Sequence, residues 1–243
     1  MIQLKCRRFG FSGVKEMIKA VVFDLDHTLF DRYETLRLVV PSFKERFKIA
    51  DGITDEFIWE RICWADKQYV HNGWHQILGH LCESNIFAEE IEYQEYEDFL
   101  LSQFRKNAAK YPFAIPVLKE LRGMGYKTGI ITNSKSITQN AKIDMLEFRE
   151  YFDEIIISGD TPYEKPQPEI FQLMAEKLGV KTSEMMYVGD NPLNDVEGSR
   201  KAGCVPVWVK TTGTWIYPEI EKCELQVETI AEIPEILKNI KVN

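Results

Sequence analysis

Four short segments hold side chains whose types and spacing suit one chemistry. F-D-L-D-H-T-L-F-D carries Asp24 and Asp26, I-I-T-N-S carries Thr132 and Asn133, Y-E-K-P-Q-P-E-I-F carries Lys165, and V-G-D-N-P-L-N-D carries Asp190 and Asp195. Carboxylates gathered in one place repel, so they either raise one another's pKa or hold a cation. Hard oxygen ligands with a locally acidic balance suit Mg2+. A carboxylate beside a divalent ion, a lysine and an anion-binding loop is arranged for phosphoryl transfer, in which metal and lysine offset transition-state charge. Such a carboxylate can attack phosphorus and form an aspartyl-phosphate. A second acid two residues away could protonate the leaving oxygen and later activate water, and a raised pKa suits that role.

These segments converge only if the surrounding elements carry them to one edge. I-K-A-V-V-F-D-L, from Ile18 to Leu25, is short, β-branched and nearly continuous, as a strand buried on both faces should be. After Pro112, strands alternate with ten-residue helices. The strands are expected at Tyr126–Ile131, Glu154–Ile157, Met185–Val188 and Val205–Val209. The helices are expected at Ile115–Met124, at Pro168–Leu178 with Pro at its start and Gly179 past its end, and at Leu193–Ala202. That alternation predicts an α/β fold: a Rossmann-like parallel sheet with right-handed crossovers and helices on both faces. Ligands bind beyond the carboxyl ends of such strands, where all four segments fall.

From Tyr33 to Lys110 the strand-like runs vanish and helical stripes take over. Thr54 can cap a helix carrying Asp55 and Glu56 in its first turn, with an apolar stripe of Phe57, Ile58, Ile62, Ala65 and Tyr69. Another helix is expected from Tyr93 to Lys106. The implied organisation is a catalytic core of residues 17–32 and 111–243, an inserted all-helical domain at 33–110, and an N-terminal extension at 1–16. Met17, directly before the first strand, is a second candidate start.

Taken singly, each acid reads as a surface residue or a turn residue, Asp190 after Gly189 being ordinary turn chemistry. Four such groups at successive strand ends outweigh that reading. D-x-D-x-T could open a calcium loop, but position twelve is Thr35 rather than Glu and position six is Leu29 rather than Gly. In a receiver-type signalling domain the acid pair and the phosphorylated Asp come from different strands, whereas Asp24 and Asp26 share one.

All four motifs, in order, resemble the haloacid dehalogenase superfamily of hydrolases, in the branch with a helical cap between the first and second motifs. The resemblance runs from about Ile18 to the C-terminal region and implies roles. Asp24 would be the nucleophile and Asp26 the general acid/base. Thr132 and Asn133 would bind phosphoryl oxygens, and Lys165 would neutralise nucleophile and phosphate. Asp190, Asp24 and the backbone carbonyl of Asp26 would hold Mg2+, with Asp195 as a supporting ligand or orienting Lys165. Dehalogenases of the superfamily lack the second aspartate of the first motif, so Asp26 disfavours carbon–halogen cleavage. The implied activity is phosphatase action on a small phosphomonoester, of nucleotide or sugar phosphate type. A phosphomutase and a non-catalytic binding protein on this scaffold are the alternatives.

Candidate contacts in the insertion are less determined. His27 stands where many relatives have a small or polar residue; it reads as a partly exposed loop side chain or as a substrate or proton-relay group. Trp59 lies about 100° from its helix's apolar stripe and is expected to face the cleft or a partner, whereas Trp64 flanks the stripe as core. His71, His75 and His80 read as packing rather than metal ligands, with Gly73 interrupting the helix.

Bulk composition sets the outer limits. The chain has 243 residues, 44% hydrophobic, with 30 basic and 38 acidic side chains and a net charge of −8. Such acidity argues against nucleic-acid or anionic-membrane partners, and no apolar run reaches the roughly 18 residues of a membrane span. Five scattered cysteines without C-x-x-C indicate neither a disulfide framework nor a thiolate zinc site, and a reducing cytoplasm is the expected setting. The leader lacks the apolar core of a secretory signal.

Overall fold

The computed structural model describes residues 17–69, 74–211, 215 and 217–240. The N-terminal extension, His71 and Gly73 lie outside the described residues. Six parallel strands form one sheet: β1 (Ala20–Phe23), β2 (Lys127–Thr132), β3 (Glu154–Ile157), β4 (Met185–Gly189), β5 (Val205–Val209) and β6 (Gln226–Val227). Their order is β3-β2-β1-β4-β5-β6, so chain direction across the sheet reverses beside β1. That switch point is where a crevice opens between diverging loops.

Period-two alternation along the strands divides the core. Val21, Phe23, Ile130, Met186 and Val188 face one layer, while Ala20, Val22, Ile131, Ile156, Met185 and Tyr187 face the other. Three helices, α5 (Ala114–Gly123), α6 (Ser136–Met145) and α9 (Ile233–Ile240), contribute to the first layer. The second is covered by α7 (Pro168–Leu178), with α8 (Gly198–Lys201) against it. Gly179, at φ 63°, closes α7 in the left-handed conformation that glycine adopts without steric penalty. The helix expected at Leu193–Ala202 is split: residues Pro192–Glu197 form a π-helical turn that leads into α8.

Between β1 and α5 the described residues make four helices: α1 (Arg32–Arg46), α2 (Asp55–Tyr69), α3 (Trp74–Glu83) and α4 (Tyr93–Phe104). The Thr54 hydroxyl accepts from Phe57 N at 3.2 Å, capping α2 as its sequence implied. Phe43, Phe47, Phe87, Tyr96 and Phe99 form an aromatic cluster in this layer, with Phe43 and Phe47 centroids 4.9 Å apart. The two ends of the insertion are laced together, Asp31 N donating to Ala109 O at 2.9 Å and Ala109 N to the Thr35 hydroxyl at 2.9 Å. Among the described residues, no helix is long and apolar enough to cross a membrane.

Candidate active site

The register of the sheet brings the motifs together. Phe23 lies opposite Ile130 on one side and Val188 on the other, so Asp24, Thr132 and Asp190 emerge side by side at the carboxyl edge. Asp24 N is itself anchored to Val188 O at 2.9 Å. Carboxylate oxygens of Asp24, Asp190 and Asp195 lie within 4.8 Å of one another. Lys165 Nζ stands among them, 2.6 Å from Asp24 Oδ1, 2.7 Å from Asp195 Oδ1 and 3.0 Å from the Tyr187 hydroxyl. The Tyr187 hydroxyl in turn donates to Ile131 O at 3.1 Å, tying this lysine clamp to the sheet.

One lysine does not balance three buried carboxylates. Burial, with the neighbouring charges of Asp195 and Asp26, pushes the Asp24 carboxyl up to about 7 despite Lys165. Burial also raises Asp190 well above the usual carboxylate range, helped by Asp24 and Asp195. Burial opposes the charge on Lys165, but Asp195 and Asp24 more than offset it and raise its pKa. Three convergent oxygen donors short of positive charge are a donor set that fits a hard dication such as Mg2+.

Asp26 sits in a contrasting environment. Burial opposes its charge, yet Lys142 at 2.8 Å and Arg32 at 3.8 Å hold its pKa down to about 2. Gln139 Nε2 donates to Asp26 Oδ2 at 2.9 Å and to the Thr132 hydroxyl at 2.6 Å. Asn133 is engaged through its side chain, which pairs both ways with the Lys165 backbone: Nδ2 donates to Lys165 O at 2.8 Å and Oδ1 accepts from Lys165 N at 2.9 Å.

His27 is buried rather than partly exposed, with only 2% of its surface accessible. Its φ of 62° places it in the left-handed region, and its side chain reaches the insertion. There Nε2 lies 3.2 Å from Asp66 Oδ2, and the ring packs on Tyr33. Asp66, fully buried in α2, also accepts from Arg32 Nε at 2.9 Å and Nη2 at 2.8 Å. A buried strut therefore joins the Asp24–Asp26 loop to the insertion.

The cleft above these groups encloses about 380 Å3. Asp24, Asp26, His27, Thr132, Asn133, Lys165, Asp190 and Asp195 all line it, so every residue singled out in the core is brought to one place. Trp59 is not among its walls: its indole donates to Tyr33 O at 3.3 Å and Arg37 lies over its ring. Trp74 takes the wall position, with Tyr93, Glu97, Leu101 and Phe104. Trp64, expected in the core, is 42% exposed and stacks on His80, because its side of α2 looks past the stripe to solvent. His75 packs against Tyr93. Sequence reasoning missed Arg32, Asp66, Gln139 and Lys142. A signal existed for three of them: Asp66 interrupts an apolar stripe, and Gln139 and Lys142 share one helix face directly after the Thr132–Asn133 motif.

Residues 18–203, more than half of the chain, match the family model described as haloacid dehalogenase-like hydrolase. The chain belongs to that family. Among relatives of this hydrolase, a glyceraldehyde 3-phosphate phosphatase of Methanopyrus kandleri is 31% identical, the alignment covering 80% of this chain and 84% of the relative. A pyrophosphatase PpaX of Bacillus cereus is 26% identical over 92% of this chain and 98% of its own. The crystal structure of a phosphatase of the family from Thermococcus onnurineus superposes with a TM-score of 0.62 at 28% identity, covering 90% of this chain and 98% of that one. With phosphatases matching over most of both chains, the hydrolase is a phosphoric monoester hydrolase.

Proposed function

We propose that the hydrolase is a Mg2+-dependent phosphatase of small phosphorylated metabolites that works through a phosphorylated Asp24. The observation that carries this reading is the Lys165 clamp, which fixes one Asp24 oxygen at 2.6 Å inside a carboxylate cluster short of positive charge. Asp24, Asp190 and the backbone carbonyl of Asp26 would hold the ion. Asp195 would either support it or keep Lys165 aimed, a role its 2.7 Å contact already suits. The ion supplies positive charge where the phosphoryl oxygens gather negative charge.

The chain's own groups divide the remaining work. Asp24 attacks phosphorus as the ester oxygen leaves, and water then cleaves the acyl phosphate. The Thr132 hydroxyl, the Asn133 backbone N–H and Lys165 receive the phosphoryl oxygens. Asp26, ionised and held near pKa 2, is in the form that activates water in the second step. Protonating the leaving oxygen in the first step requires Asp26 to carry a proton, and so to stand further from Lys142 than its present 2.8 Å. Residues 33–110 act as the cap that closes over residues 17–32 and 111–243 and excludes water. A reducing cytoplasm suits the free, buried Cys63, Cys204 and Cys223.

Phosphate release from a panel of phosphomonoesters in MgCl2 tests the proposal. Asp24→Asn should abolish turnover while thermal unfolding and circular dichroism stay native. Excess EDTA should do the same to the unaltered chain. Full activity in either case refutes it.

A further inference from the structure

The far wall of the cleft comes from the insertion, and its chemistry is one-sided. Trp74, Tyr93, Glu97, Leu101 and Phe104 line it, and among the described residues of the insertion Glu97 is the one ionisable group there apart from Tyr93. Glu97 Oε1 accepts from the Tyr93 hydroxyl at 3.2 Å and Oε2 from Gln94 Nε2 at 3.4 Å. A carboxylate offers about four acceptor sites, so each oxygen keeps capacity for another donor. Among the described residues no cation pairs with Glu97.

The cations facing the cleft are committed elsewhere. Arg32 gives Nε and Nη2 to Asp66, and its guanidinium lies beside the Trp74–Phe104 ring pair, 5.9 and 5.1 Å from the two centroids. Lys142 gives both of its carboxylate contacts to Asp26, at 2.8 and 3.1 Å. Lys165 is held by Asp24 and Asp195. Lys135 is exposed, but it stands on the core rim two residues past Asn133, beside the phosphate end.

Resting on the phosphatase reading above, we infer that Glu97 and Trp74 select the leaving group: a neutral, hydroxyl-bearing alcohol or sugar, with anionic leaving groups excluded. A hydroxyl donates to Glu97, while the apolar C–H face of the same fragment lies on the indole of Trp74. A second phosphate or a carboxylate at that position meets the Glu97 charge in a partly desolvated cleft. The two relatives named above differ in this respect, glyceraldehyde being a neutral leaving group and phosphate an anionic one. The inference places this chain with the first.

The test compares kcat/KM in MgCl2 for glyceraldehyde 3-phosphate and glycerol 1-phosphate against pyrophosphate and phosphoglycolate. In the unaltered chain the neutral class should lead by about a hundredfold, the order expected when a like-charge clash rejects a wrong partner at a partly exposed site. Glu97→Lys should shrink that ratio at least tenfold, Glu97→Gln should shrink it by less, and Trp74→Ala should raise KM for the neutral class. Thermal unfolding verifies that each variant is folded. Release of phosphate with anionic substrates preferred, or a ratio unmoved by both Glu97 variants, overturns the assignment and leaves the phosphatase reading standing. Release from no substrate at all refutes both.

Discussion

The buried strut between the Asp24–Asp26 loop and α2 makes a quantitative prediction. Asp66 is 0% exposed and accepts three hydrogen bonds, from Arg32 at 2.9 and 2.8 Å and from His27 at 3.2 Å. Asp66→Ala strips the partner from Arg32, a residue itself only 7% exposed, with Asp26 at 3.8 Å as partial compensation. Breaking a buried pair by removing one partner costs about 3–5 kcal/mol, because the other charge stays buried and unmatched. Arg32→Met should cost a similar amount. The double variant Asp66→Ala/Arg32→Met removes both charges and should lose at least about 2 kcal/mol less than the sum of the single losses. Urea denaturation followed by tryptophan fluorescence measures all three. The sign with pH is fixed as well. Burial opposes the Asp66 charge, but Arg32 and His27 hold its pKa below the usual range, so its contribution is complete above about pH 4. It is lost as pH falls below that value, and the penalty of Asp66→Ala should shrink there. Losses that add to within about 0.5 kcal/mol, the limit for independent sites, would refute the reasoning.

Three further outcomes follow from the site. Because burial raises the Asp24 and Asp190 carboxyls, protons compete with Mg2+, and the rise in Tm on adding MgCl2 should grow from pH 5 to pH 8; a rise that is flat with pH, or largest at pH 5, counts against the cluster as the ion site. Tyr187→Phe removes the hydroxyl 3.0 Å from Lys165, which should cost about 1.5–3 kcal/mol as a hydrogen bond to a charged group. It should also lower kcat about tenfold, both read from denaturation and initial rates. A Cβ on Gly189 would overlap the Asp195 side chain, so Gly189→Ala should displace Asp195 and cost about 1–3 kcal/mol as overpacking. Gly123→Ala, where a Cβ meets nothing within 4 Å, should be neutral or stabilising, and equal effects of the two in thermal unfolding would contradict this geometry.

The parts of the molecule legible from sequence share a physical cause. Buried parallel strands are continuous β-branched runs, so Glu154–Ile157 and Val205–Val209 carry their own boundaries. Residues just past such strands must gather at one edge, which is why Asp24, Thr132 and Asp190 could be placed together without coordinates. What could not be read depends on approach between distant segments. Lys142 reaches Asp26 across 116 positions of sequence, and Arg32 meets Asp66 across 34. The exchange of Trp59 for Trp74 at the cleft wall has the same origin. Periodicity tells which face of a helix is apolar, but not whether the other face meets the cleft, a neighbouring helix or water. His27 shows a third limit, since a left-handed loop residue aims its side chain in a direction that composition does not encode.

The lacing of Asp31 to Ala109 and of Ala109 to Thr35 has an evolutionary corollary. The chain leaves the sheet and returns to it at a single seam, so the length of what lies between is not set by the sheet, although its content must still supply a buried partner for Arg32 and His27, as Asp66 does. Such a seam behaves as a cassette boundary. A lineage could acquire a new taste in leaving groups by replacing the whole segment in one recombination event, keeping the inherited chemistry at the strand ends as long as the new segment brings its own partner for Arg32.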